Sequence, residues 1–183
     1  MIIGFIGKQR SGKTLTMNNL AKVYQSMGYL VVTNQKEVSY PHTYFDPSFL
    51  VDKKGIEDLK RKTNNKKIIM CLDEAHLWLD SRRSKNNTAK SFLITQAAKL
   101  MEEEGHFFYT TQFFGSIDIR LRYNTSYVFH FEKEENDAGI TFRMKVLEPR
   151  GEYMHEIKEV SFDSSELFDN NLYNRFEMID VED

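Results

Sequence analysis

The run GKQRSGKT occupies residues 7–14 and follows directly on the apolar segment IIGFI at residues 2–6. Its spacing is G-x-x-x-x-G-K-T. Residues 2–6 have the length of a strand. Residues 12–27 carry Leu20, Val23, Tyr24 and Met27 at i, i+3, i+4 and i+7, one helical face, and Gly28 supplies the stop. A strand, a short loop with glycine at both ends, and then a helix leave few folds open. Small residues let successive backbone N–H groups point inward, and the helix N-terminus adds a favourable partial charge. Such a loop suits phosphate. Gly7, Lys8, Gln9, Arg10, Ser11, Gly12, Lys13, Thr14 and Leu15 form the expected cradle. Lys13 would reach the β- and γ-phosphates of ATP, and Thr14 would offer its hydroxyl to Mg²⁺.

Strand and helix patterns keep alternating. Residues 29–33 (YLVVT) are strand-like, Pro41 and Pro47 mark an irregular segment, and residues 56–62 suggest a short helix. Residues 68–72 (IIMCL) read as a third buried strand. Residues 89–104 are helical, with Leu93, Ala97 and Leu100 on one face and Gly105 at the end, and residues 107–111 form a fourth strand. Residues 127–132 and 140–146 then alternate like strands around the turn ENDAG, and 157–162 suggest another. This order points to an α/β fold, a mostly parallel sheet with helices on both faces and an antiparallel extension at one edge. The length of 183 residues suits one domain. The expected division is a core at 1–132 and an acidic extension at 133–183 packed on the same domain, with Gly151 as the one soft boundary.

The stretch IIMCLDEAHLWLD at residues 68–80 supplies what phosphate binding alone lacks. Asp73 ends the third strand, where ligands of open α/β sheets bind, and would hold Mg²⁺ as a Walker B aspartate does. Glu74 would polarise the water for in-line attack on the γ-phosphate. The competing reading is a helix cap, since Asp and Glu favour helix N-termini and AHLWL could open a helix. The letters DEAH also match a helicase signature, but those enzymes need two tandem lobes, so His76 is expected to be structural. Gln112, after FFYTT, would lie beside the phosphates if its strand sits between the first and third. An amide there could sense the γ-phosphate or orient water.

Composition narrows the class. The single cysteine, Cys71, excludes an intramolecular disulfide framework and fits a reducing, cytoplasmic setting. No apolar stretch approaches the roughly 20 residues that span a bilayer, so no membrane partner is expected. Residues 1–131 hold 19 basic and 12 acidic side chains, against 6 and 15 in residues 132–183. Basic runs at 53–54, 60–62, 66–67 and 82–85, with Lys90 beyond, are either solvated faces or a surface for a polyanion.

Taken together, these motifs resemble the additional-strand catalytic-glutamate, RecA-like branch of P-loop NTPases, for which the implied strand order is 5-1-4-3-2. Gln112 and the following SIDIRLRYNTSYVFHF (residues 116–131) are similar to the FtsK–HerA superfamily of DNA pumps. There a glutamine ends the sensor strand and a segment of the form ID-x-x-[IL]R-x-N follows. DEAHLWLDSRRS (residues 73–84) resembles the compact viral and plasmid members, namely the genome-packaging ATPases of archaeal and membrane-containing viruses and the zonular-occludens-toxin-like ATPases. The toxin-like proteins usually carry a membrane span, which weighs against that branch. The resemblance implies a ring, usually a hexamer, acting on double-stranded DNA without sequence preference, capsid or portal-like partners, and a place in the host cytoplasm or virion. It also implies an arginine finger from a neighbouring subunit. Arg82 and Arg83 are the first candidates, Arg120 and Arg122 the second.

Three other readings compete. A ParA/MinD-like positioning ATPase would use Lys8 as its signature lysine, but Gln9 and Arg10 replace that family's glycines. A small-molecule or nucleotide kinase must keep water from the γ-phosphate, which Glu74 opposes. A non-hydrolysing nucleotide-binding scaffold is opposed by the intact set Lys13, Thr14, Asp73 and Glu74.

Overall fold

A computed structural model describes residues 1–47, 61, 67–79, 105–136, 139–151 and 153–163. Strand β1 (Ile2–Gly7) is buried along its whole length, as a parallel strand covered on both faces must be. Helix α1 (Lys13–Ser26) starts after Gly12 and ends one residue before the Met27–Gly28 cap. Its first turn holds no acidic residue, so nothing there offsets the positive end of the helix dipole. Then follow β2 (Leu30–Thr33), β3 (Thr43–Tyr44), β4 (Ile68–Leu72), the single turn α2 (His76–Leu79) and β5 (His106–Thr111). A 3₁₀ turn (Phe114–Ser116) leads to α3 (Ile119–Asn124), β6 (Tyr127–Asn136), β7 (Gly139–Arg150) and β8 (Tyr153–Asp163).

Among the described residues these strands form one sheet in the order β3-β2-β4-β5-β1-β6-β7-β8. Pairing is parallel from β3 to β6 and antiparallel from β6 to β8. The five strands expected in the order 5-1-4-3-2 are β6-β1-β5-β4-β2 here, with the same neighbours. The whole sheet is not identical to that order, because the two-residue β3 adds an edge beyond β2 and β7 and β8 add one beyond β6. Two residues are too few to leave a periodic signal, which is why the segment after Pro41 reads as irregular. β6 runs through residue 132, and Gly151, at φ 65°, sits between β7 and β8 in the turn that joins the antiparallel pair. Gly151 is therefore a hairpin turn and not a soft boundary. The helices expected at 56–62 and 89–104 lie outside the described residues, apart from Arg61.

The two faces of the sheet carry separate cores. On one, Met17, Leu20 and Ala21 of α1 cover Ile3, Phe5, Val31 and Phe108. Phe5 meets Phe108 and Phe129 edge-to-face at 5.8 and 5.2 Å, the favoured aromatic geometry. On the other, Leu79, Ile117 and Leu121 pack over Ile2, Val32, Met70, Leu72, Phe107 and Tyr109. Gly4 has a specific reason to be glycine: a β-carbon there would lie 2.6 Å from the hydroxyl of Tyr109, its partner in register on β5. That hydroxyl is held 2.9 Å from Thr125 Oγ1. The C-terminal ends of β1, β2, β4 and β5 thus share one edge, and residues at or just past these ends build the site.

Candidate active site

The loop between β1 and α1 turns on three residues at positive φ: Gly7 (151°), Arg10 (59°) and Gly12 (95°). A side chain at Gly7 would collide with the Phe131 carbonyl of the adjacent strand β6. The loop backbone can pass so close to β6 only because Gly7 lacks a β-carbon. Residues 9–15 and Glu74 line a pocket of about 390 Å³, within the range of small-ligand sites. The Ser11 hydroxyl at this loop is buried and has no hydrogen-bond partner among the described residues. Lys13 is only 5% exposed, and its Nζ donates to the Lys8 carbonyl at 2.6 Å. Burial lowers the pKa of its ammonium, while the carboxylates of Glu74 and Asp73 oppose that shift.

Asp73 follows β4 directly. Its Oδ1 accepts from the Thr14 hydroxyl at 2.9 Å and from the Thr110 hydroxyl at 2.6 Å. Its backbone is gripped by Asn34, just past β2: Asp73 N–H donates to Asn34 Oδ1 at 2.7 Å, and Asn34 Nδ2 donates to the Asp73 carbonyl at 3.0 Å. Glu74 is a non-glycine residue at φ 52°. Its N–H donates to Thr110 Oγ1 at 2.9 Å. The next peptide, Ala75 N–H, donates to the Thr110 carbonyl at 2.8 Å, which ties the start of α2 to β5. The Glu74 carboxylate is partly exposed, and its Oε2 lies 3.3 Å from His76 Nδ1. That distance is within ion-pair reach, but the ring nitrogen makes no aligned hydrogen bond. His76, expected to be structural, is thereby a neighbour of the candidate base.

The donor set fits a small hard cation. A threonine hydroxyl and a carboxylate oxygen converge beneath the loop, and Mg²⁺ takes oxygen ligands from one or two protein groups together with substrate phosphates. Gln112 follows β5, which lies between β1 and β4, so it occupies the same edge as the loop; it does not line the pocket. Of the candidate fingers, Arg82 and Arg83 lie outside the described residues. Arg120 and Arg122 belong to α3, which leads down to the opposite edge, where Ser126 N–H donates to the Ile2 carbonyl. Arg120 Nε pairs with Asp118 at 3.2 Å, and Arg122 Nε donates to the Ile117 carbonyl at 3.1 Å.

The sequence reading did not find Asn34 and Thr110. A signal existed for Thr110: once β5 is set beside β4, the register that pairs Leu72 with Tyr109 brings the next residues, Asp73 and Thr110, together.

No family model and no curated protein matches this chain. Solved structures do. The N-terminal domain of zonular occludens toxin from Neisseria meningitidis is 17% identical, with 94% of this chain and 96% of that chain covered and a TM-score of 0.63. The genome packaging NTPase B204 from Sulfolobus turreted icosahedral virus 2, in complex with AMPPCP, is 11% identical, with 87% and 97% covered and a TM-score of 0.61. The flagellar accessory protein FlaH from Methanocaldococcus jannaschii is 14% identical, with 88% and 84% covered and a TM-score of 0.61. The chain has the P-loop NTPase fold, and its structural neighbours include the toxin and viral packaging groups that its motifs resemble.

Proposed function

We propose that this protein hydrolyses ATP with Mg²⁺ and uses the turnover to move DNA, as a viral genome-packaging motor or a close relative. The observation that carries the reading is the convergence of Lys13, Thr14, Asp73 and Glu74 on one edge of the sheet, with Thr14 donating to Asp73 at 2.9 Å and Glu74 lining the loop pocket. In this reading the loop N–H groups and Lys13 bind the phosphates. Thr14 and Asp73 hold Mg²⁺, which when bound neutralises charge on the β- and γ-phosphate oxygens. Glu74 accepts the proton of the attacking water, and Gln112 senses the γ-phosphate. Arg82 or Arg83 of a neighbouring copy stabilises charge on the transferred phosphoryl group, with Arg120 and Arg122 as alternatives.

The DNA part of the reading is supported by the basic excess of residues 1–131, which suits nonspecific phosphate contacts, and by the likeness to a protein described as a genome packaging NTPase. A ring, a hexamer, with capsid or portal-like partners in host cytoplasm or virion completes it. No described helix is long and apolar enough to cross a membrane.

The test is steady-state ATP hydrolysis with Mg²⁺, with and without double-stranded DNA, at low and moderate salt. Turnover stimulated by DNA, fading as salt rises, is the expected result. Turnover indifferent to DNA would favour a positioning ATPase or a motor with another cargo. Transfer of phosphate to a metabolite would favour a kinase, and binding without turnover a scaffold.

A further inference from the structure

We propose that Thr110 and Asn34 are positioning residues that hold the Asp73–Glu74 peptide in the conformation that presents the base, so that two neighbouring strands set the catalytic geometry. The inference rests on the hydrolytic reading above.

Glu74 sits at φ 52°. Residues other than glycine enter this region at an energetic cost and stay there only where the surroundings over-determine them. Here the surroundings are specific. β4 lies between β2 and β5, and each neighbour contributes one side chain to the turn that follows β4. From β5, the Thr110 hydroxyl accepts from Glu74 N–H at 2.9 Å and donates to Asp73 Oδ1 at 2.6 Å. The direction of this relay is set by chemistry, since a backbone N–H can only donate and an ionised carboxylate can only accept. Thr110 is fully buried, so water is a poor substitute for either bond. From just past β2, the Asn34 amide spans the Asp73 peptide N–H and carbonyl at 2.7 and 3.0 Å. Those two partners also leave only one orientation of the amide. Thr14 donates to the same carboxylate oxygen as Thr110, but Thr14 belongs to the phosphate loop. The Thr110 bond is the one that couples the metal-holding carboxylate to the base's own backbone.

The test compares Thr110→Val, which keeps the shape and removes the hydroxyl, with Thr110→Ser, which keeps the hydroxyl. Asn34→Ala, at a half-buried position, is the second variant should the valine protein fail to fold. Each is measured for kcat, for KM towards ATP and for the Mg²⁺ concentration giving half-maximal rate, on protein titrated for nucleotide-binding sites. Loss of a hydrogen-bonding partner behind a metal ligand typically costs about 10- to 100-fold. Thr110→Val and Asn34→Ala should therefore lower kcat by about that factor and raise the Mg²⁺ requirement, with KM changed less than about threefold, and Thr110→Ser should recover most of the rate. A merely structural role would lower the number of active sites and leave kcat per site unchanged.

The single tryptophan, Trp78, lies on α2, four residues past Glu74, and reports on the turn without turnover. Its emission in the nucleotide-free protein should shift in Thr110→Val and match wild type in Thr110→Ser. Wild-type kcat, Mg²⁺ requirement and Trp78 emission in folded Thr110→Val and Asn34→Ala would overturn the inference. A wild-type protein that binds ATP without turning over would instead overturn the proposed function and the positioning role with it, whatever Trp78 shows.

Discussion

At Lys13 two opposing effects act on one ammonium: burial disfavours its charge, and the nearby carboxylates of Glu74 and Asp73 favour it. A buried cation with one backbone carbonyl as its anchor, that of Lys8, is prepared for a stronger anion. Lys13→Ala should therefore weaken ATP binding by at least about 100-fold, a charge-assisted contact to phosphate being among the strongest polar interactions. Glu74→Gln should bind ATP normally and lose turnover by about 100- to 10,000-fold, the usual contribution of a general base. Titration with a fluorescent ATP analogue and a phosphate-release assay separate the two. Wild-type turnover in Glu74→Gln would remove Glu74 as the base. These residues were legible in the sequence because each lies within a short local pattern. Thr110 and Asn34 were not, because they meet Asp73 across 37 and 39 residues of chain. A threonine or asparagine near a strand end looks the same whether it grips a catalytic turn or bonds solvent.

Among the elements, β5 carries a liability at the end away from the site. Its first residue, His106, packs against Tyr24 and Tyr29 with ring centroids 4.9 and 5.5 Å apart. Its Nδ1 is buried without a hydrogen-bond partner among the described residues. Burial, then the N-terminal ammonium and Lys67, push its pKa down to about 4 from the ordinary 6.5. Between those values the unfolded chain binds a proton that the folded one refuses. Stability should accordingly be complete above about pH 6.5 and fall as pH drops towards about 4, by up to about 3 kcal/mol. Urea unfolding at about pH 7 and about pH 5 measures the slope, and His106→Phe should flatten it. An unchanged slope in that variant would assign the acid sensitivity to other groups. The core strands were legible because they are short apolar runs bounded by turns. β7 and β8 proved longer than expected because the stretches they add, 147–150 and 153–156, are polar or interrupted: Pro149 lies within β7, and Arg150 pairs with Glu148 of its own strand at 2.7 Å. Such an exposed pair contributes little energy, and these residues break the apolar alternation that marks a strand.

For the whole molecule, the proposed function requires that copies complete one another's sites. Mixing an Arg82/Arg83 double variant with Lys13→Ala subunits should restore activity above either alone if the arginine acts across a subunit boundary. No rescue, read by phosphate release in the mixture, would assign those arginines a role within their own subunit or in structure. At this scale the fold class was the most legible property, since one loop motif in strand–loop–helix context leaves few alternatives. The join between core and extension was the least legible, because it depends on pairing and not on local pattern. That join has a mechanical side. β6 is hydrogen-bonded to β1 on one flank, with Phe131 opposite Gly7, and to β7 on the other. Ladder bonds run across the strands, so tension applied lengthwise to β8 is shared by many bonds at once and does not part them one by one. A tug on the outer hairpin is therefore delivered stiffly to the first glycine of the phosphate loop, and the same path run backwards would turn a shift of that loop into a stroke at the edge of the sheet.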